Sequence, residues 1–263
     1  MFISHEHQDH FDISTLSKLE HYIDTLIIPN FSDKFLAENC KSFDFNVIEL
    51  CDEEVFPLNK NDFIKVFIVD IGINHDSAIL IKINNQTFFN QNDCKIFDRL
   101  EASSFINIDY YAVQFSGATW HPVCFNMSEK RKVAVSKGKV ISKLTAIRNA
   151  IRLLKPKVFF PSAGPAIFPH LDADLSIGEG NIFVHQSILA KFLKNEQSQI
   201  CYLRPGDTYN SNIQTSPINP PTSKELSEIS NNVSCEYSDY SKPLIVGELI
   251  LSIRARLDSI KGI

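Results

Sequence analysis

Six residues near the amino terminus, His5–Glu6–His7–Gln8–Asp9–His10, gather three imidazoles and the Asp9 carboxylate into one short segment. In an extended or tightly turning loop His5 and His7 point the same way, while Asp9 and His10 reach a neighbouring point. Imidazole nitrogen and carboxylate oxygen suit zinc or iron(II), to which they bond at about 2.0–2.2 Å. Two such ions a few ångströms apart share and polarise one water, which supplies a nucleophile at neutral pH. Asp9 then orients that water or accepts its proton. The alternative is a chance cluster on a surface loop. With eight histidines in 263 residues, three within six by accident is improbable. The position between the short apolar Met1–Ser4 and a helix also fits a metal site.

The chain that follows alternates helical and strand patterns. Asp12 is placed to cap a helix over Ile13–Asp24, with Ile13, Leu16, Leu19 and Ile23 at helical spacing. Thr25–Ile28 reads as a buried strand stopped by Pro29–Asn30, and Ser32 as the cap of a short helix with Phe35 and Leu36 facing inward. Asn46–Leu50, Phe63–Val69, Ser77–Ile83, Thr87–Asn90 and Tyr110–Phe115 read as strands, with a hairpin turn at Asn84–Asn85–Gln86. Residues 128–155 form a basic amphipathic helix, with a break expected near Gly138. Its second half lays Ile141, Leu144, Ile147, Ile151 and Leu154 on one face, and Pro156 ends it. Val158–Pro161 is a strand leading to the loop Ser162–His170; His185–Leu193 is a helix and Gln199–Leu203 a strand. Residues 210–223 read as a polar linker, and Leu244–Leu257 as a helix that packs against something. This βαβ rhythm argues for an α/β layered fold.

Charge and composition exclude several classes. Twenty-six Lys and Arg against 31 acids give a formal charge of −5, so the positive field needed for non-specific nucleic-acid binding is missing. No apolar run is long enough to span a membrane, and Met1–His5 has neither the basic nor the apolar region of a signal peptide. The six cysteines are scattered without a C-x-x-C pair and read as reduced structural thiols. A cytoplasmic protein is expected.

The H-x-H-x-D-H pattern resembles the signature of the metallo-β-lactamase superfamily. That superfamily takes a further histidine from a later strand and a bridging acid beyond it; His75 and Asp93 stand in that order. The chain is similar, more narrowly, to the metallo-β-lactamase-like domain of the CMP-N-acetylneuraminic acid hydroxylase family. The matching stretches are Ile3–His10 with Ser14–Leu16, Asn74–Ser77, Asn92–Cys94, Phe115–Ala118, Phe160–Pro165 and Arg204–Gly206. The resemblance implies an αββα sandwich over residues 1–209, with 210–223 a linker and 224–263 a C-terminal helical segment. With only Met1–Ser4 before the histidine loop, the first sheet is expected to lack its first N-terminal strands, and a partner chain, an oligomer or a longer natural product to cover it.

As the resemblance implies, His5, His7, Asp9, His10, His75, Asp93 and His170 hold one or two iron or zinc ions. The implied activity is iron-dependent oxidation of a sugar nucleotide or related small molecule. The family's Rieske cluster needs C-x-H and C-x-x-H pairs. No cysteine here is followed two residues on by histidine, so this chain carries no Rieske cluster and the electrons come from a separate protein. The alternative in the same pocket is a metal-dependent hydrolase of an ester, lactone, amide or phosphodiester, and a third reading is an inactive truncated fragment that needs a partner.

His121, beside Trp120, reads either as a wall of the substrate pocket or as a partly buried ring packed on that tryptophan. Arg204 reads either as a phosphate or carboxylate ligand of the substrate or as a surface ion pair. The basic run from Lys130 to Lys143 reads as a solvated helix face, with anion binding the alternative.

Overall fold

A computed structural model describes residues 1–71, 74–101, 107–117, 119, 121–164, 182–203 and 207–210, with the isolated residues 224 and 228. The fold is mixed α/β with a sheet-rich core. Strands β1 (Thr25–Pro29) and β2 (Asn46–Leu50) form a parallel pair. Residues Met1–Ile3 lie along β1, with Phe2 bridging Ile27 and Ile3 N–H donating to the Ile27 carbonyl at 3.1 Å. The larger sheet has seven strands in chain order: β3 (Val55–Pro57), β4 (Phe63–Ile71), β5 (Asn74–Ile83), β6 (Gln86–Asn90), β7 (Tyr110–Gln114), β8 (Val158–Ser162) and β9 (Gln199–Ile200). Pairing is antiparallel from β3 to β6 and parallel from β6 to β9.

β4 separates two cores. Because side chains alternate along a strand, Val66 and Ile68 face one side and Phe67 the other, and all three are buried. On the Phe67 side lie Phe89, Tyr111 and Phe159 from the later strands. They are covered by helix α3 (Glu129–Leu154) and helix α4 (Gln186–Leu193) through Leu144, Ile147, Ile151 and Leu189. On the Val66 side lie Leu26 and Ile28 of β1, Leu16 of helix α1 (Ile13–Leu19) and Leu36 of helix α2 (Phe35–Cys40). Each fully buried Leu, Ile or Phe contributes about 1.5–3 kcal/mol relative to exposure. Among the described residues no helix is long and apolar enough to cross a membrane.

Several local expectations change in three dimensions. The first helix closes at Leu19 and passes into a 3₁₀ turn, Glu20–Tyr22; Asp12 caps it as expected, accepting from Thr15 N–H at 2.7 Å. Leu16 is buried there, whereas Ile13 and Leu19 are exposed. Ser32 does not cap α2. Its N–H and hydroxyl instead donate to Asp70 at 2.8 and 3.1 Å, and Lys34 precedes the helix in the left-handed region. Leu36 and Cys40, four apart, turn inward, which leaves Phe35 52% exposed. α3 is continuous through Gly138, and its buried track runs through Val140, Leu144, Ile147, Ile151 and Leu154, so Ile141 points to solvent. β3 carried no sequence signal, and β9 is two residues rather than the five of Gln199–Leu203. The parallel rhythm holds for β1–β2 and for β6 to β9, whereas β3 to β6 are antiparallel. The 211–223 part of the linker and the Leu244–Leu257 helix lie outside the described residues.

Candidate metal centre

The histidine loop is held at both ends by the smaller core. Ile3 before it and Phe11 after it are 2% and 7% exposed. Between them the chain curls, with His10 and Phe11 N–H both donating to the His7 carbonyl at 2.8 and 2.7 Å. Ser77 of β5 donates its hydroxyl to the Ser4 carbonyl at 2.7 Å, a buried bond that fixes the loop to the large sheet. His5 is therefore fully buried, whereas His7 and Asp9 face outward.

His5 Nε2 stands 2.8 Å from His7 Nδ1, and ligand atoms of His5, His7 and Asp93 all lie within 4.8 Å of one another. His10 Nε2 lies 3.5 Å from Asp93 Oδ1 and 3.6 Å from Asp9 Oδ2, beside that triad. The other nitrogen of His5, Nδ1, faces Asp76 Oδ1 at 3.2 Å and Ser4 Oγ at 3.1 Å. Ser4 Oγ also meets His10 Nδ1 at 3.0 Å. Burial alone would lower the His5 pKa, but Asp76, then Asp93 and Glu6, outweigh it and hold it above the usual 6.5.

Asp93 reaches this point because the turn after β6 is tied down. Gln91 is fully buried; its side chain accepts from the Tyr111 hydroxyl at 2.7 Å and donates to the Cys94 carbonyl at 2.7 Å. Asn92 adopts a positive φ of 52° and bonds the Ser77 carbonyl at 3.3 Å. The turn lies where the parallel strands end, the end at which open α/β sheets usually bind ligands.

These residues fit a metal. Tetrahedral ligands at about 2.0–2.2 Å from an ion stand about 3.3–3.6 Å apart, a spacing bracketed by the distances here. Asp93 Oδ1 is buried and makes no hydrogen bond among the described residues, an acceptor left for a cation. A carboxylate on the second nitrogen of a ligating histidine, as Asp76 is for His5, orients the ring.

The structure does not bring every expected residue here. His75 sits opposite Asp70 in the β4–β5 register, and its nitrogens lie 2.7 Å from Asp70 Oδ1 and 3.3 Å from Asp33 Oδ2. Successive strand residues point to opposite faces, so His75 turns to the smaller core while Asp76 turns to His5. His75, expected as a ligand, is thus not brought into the His5–His7–Asp93 cluster. Asp76 is the residue the sequence reading passed over, although the His75–Asp76 alternation was its signal. His121 stacks edge-on against Phe125 at 4.6 Å, and its carbonyl accepts from Lys139 at 3.1 Å. Trp120, His170 and Arg204 lie outside the described residues.

Next to Asp93 opens a cavity of about 440 Å³ between the ends of β6 and β7 and the side of α3. Gly117 and Gly164 shape its surroundings by close approach: a Cβ on Gly117 would stand 2.6 Å from Ile182, and one on Gly164 would stand 2.3 Å from Ser116.

No family model matches the chain. It is 29% identical over 222 residues to a Mycobacterium tuberculosis protein that carries the provisional name Rieske 2Fe-2S iron-sulfur protein, a match over 79% of this chain and 43% of that one. The chain thus spans less than half the length of the curated relatives it matches. Among solved structures it is similar to the metallo-β-lactamase fold protein YhfI of Bacillus subtilis, at 10% identity and a TM-score of 0.46 over 77% of this chain and 74% of that one. A metal-dependent hydrolase of the β-lactamase superfamily overlays with a TM-score of 0.38 at 11% identity, over 77% and 75% of the two chains. At such TM-scores neither overlay carries an argument about this chain.

Proposed function

We propose that this chain is a metal-dependent hydrolase of metallo-β-lactamase type, acting on an ester, lactone, amide or phosphodiester of a small molecule. The observation that carries the reading is the convergence of His5, His7 and Asp93 beside a cavity. His5, His7 and Asp93 would hold a divalent ion, which would supply Lewis acidity and lower the pKa of a bound water. The protein's own part follows from the geometry. Asp76 and Ser4 hold His5 Nδ1, which aims Nε2 at His7 and the ion. Tyr111, through Gln91, holds the turn that carries Asp93. Asp9, 81% exposed and 3.6 Å from His10, would orient the attacking water or accept its proton on its carboxylate.

A second reading is favoured by the name of the mycobacterial relative: iron-dependent oxidation of a sugar nucleotide or related molecule, with electrons from a separate protein, as in the CMP-N-acetylneuraminic acid hydroxylase family. Hydrolysis stands first because its chemistry needs only the ion and a water and no electron supply.

The test is elemental analysis of anaerobically purified protein beside a His5→Ala/His7→Ala variant. About one to two equivalents of zinc or iron in the parent, lost in the variant, are expected. Zinc with turnover of ester and phosphodiester substrates supports hydrolysis; iron with oxygen consumption supports the second reading. A folded parent that takes up neither metal refutes both.

A further inference from the structure

The cavity beside Asp93 gathers three lysines into one lining. Some lysines elsewhere sit against acids, as Lys34 does with Glu49, Lys65 with Glu53 and Lys157 with Asp109. Around the cavity stand Lys95, Lys139 and Lys143, and among the described residues none of the three pairs with a carboxylate. Lys143 is the innermost of the three, half-buried on α3, and donates to Gln114 Oε1 at 2.5 Å. An ammonium has three N–H donors, and the described protein engages one of them. Lys95 and Lys139 are exposed at the rim. The remaining wall is apolar, built by Phe97, Val113, Phe115 and Val140. Asp93 is the wall's carboxylate, and the metal site uses it.

We propose that this cavity selects a small amphiphilic anion, a molecule whose phosphate or carboxylate meets Lys143 while its apolar body lies on Phe97, Val113 and Phe115 and its reacting end reaches Asp93. The proposal rests on the metal-site reading for that reacting end, but not for the anion arm. A half-buried ammonium that spends one donor on Gln114 keeps two for a ligand, and an anionic group takes them in charge-assisted hydrogen bonds. A volume of about 440 Å³ suits a ligand of one or two rings rather than a polymer. Lys95 and Lys139 at the rim steer the anion inward and make its capture sensitive to salt.

The probe is phenylphosphonate, an anion with an apolar ring and no hydrolysable bond, titrated calorimetrically into chelator-treated protein whose metal content has been measured. Binding is expected in the metal-free parent. It should weaken by about tenfold or more in Lys143→Met and stay within about threefold in Lys143→Arg, which keeps the charge. Neutral benzyl alcohol should bind weakly and equally to all three. Thermal melts on each variant exclude unfolding as the cause. No binding to the folded parent, or binding unchanged in Lys143→Met, overturns the proposal. Loss of the metal reading leaves this binding intact, so the two ideas fail separately.

Discussion

Replacing Lys143 by Met should stabilise the folded chain at neutral pH, by an amount that pH itself switches off. Burial, with the nearby Lys95 ammonium, pulls the Lys143 pKa from its ordinary 10.5 to about 8, against the opposing pull of Asp93. Below pH 8 the folded and unfolded chains both carry the proton, so the full penalty of burying the charge applies. Between 8 and 10.5 the unfolded chain still binds a proton that the folded chain has released, so stability rises with pH; above 10.5 the penalty is gone. A gap of about 2.5 pH units corresponds to about 3 kcal/mol. Removing the ammonium also strips Gln114 Oε1 of its donor, a loss of about 1 kcal/mol. The net gain in Lys143→Met is therefore about 2 kcal/mol at pH 7, falling to zero or about −1 kcal/mol near pH 10.5. Urea denaturation of metal-free parent and variant at the two pH values measures it. A variant no more stable than the parent at pH 7, or equally favoured at both, would mean that the ammonium is solvated and that burial does not depress its pKa.

Two further perturbations probe the scaffold of the site. Tyr111→Phe leaves buried Gln91 Oε1 without its donor and should cost about 1–3 kcal/mol in urea melts; because Gln91 also holds the Cys94 carbonyl, zinc affinity should fall by about tenfold, and unchanged affinity would detach Tyr111 from the metal centre. Asp109 is held below its ordinary 3.8: burial alone would raise it, but the Lys157 ammonium at 2.6 Å and the Thr87 N–H and hydroxyl outweigh burial. Its stabilising effect is present above that value and lost as pH falls through the folded one. Asp109→Asn should thus cost about 1–2 kcal/mol at pH 7, with the difference from the parent shrinking below pH 3.8, as read from melting temperatures across pH.

Much of the molecule was legible in the chain itself. Local signals suffice wherever a rule acts within a few residues. Asp12 caps α1 because its side chain reaches an N–H three residues on. Asn84 and Asn85 both take positive φ, at 51° and 60°, as a tight hairpin demands. The His5–His7 pair was visible as residue types suited to a cation, Asp93 only through the family resemblance, and the structure brings the three together.

What the chain could not reveal depends on which face a strand presents and what stands opposite. His75 and Asp76 are neighbours in sequence with opposite fates, because the β4–β5 register sets His75 against Asp70 and leaves Asp76 for His5. The track along α3 passes through Val140 rather than Ile141 because a helix turned slightly about its axis meets the sheet with a different row, a rotation that only packing on Phe89 and Tyr111 selects. The basic face of α3 is the same kind of case. Lys143 carries its charge wherever it lies, but only the ends of β6 and β7 rising beside it turn a surface lysine into one wall of a cavity. Side-chain chemistry is written in the sequence, whereas burial, partner and pKa belong to tertiary contacts between segments far apart along the chain.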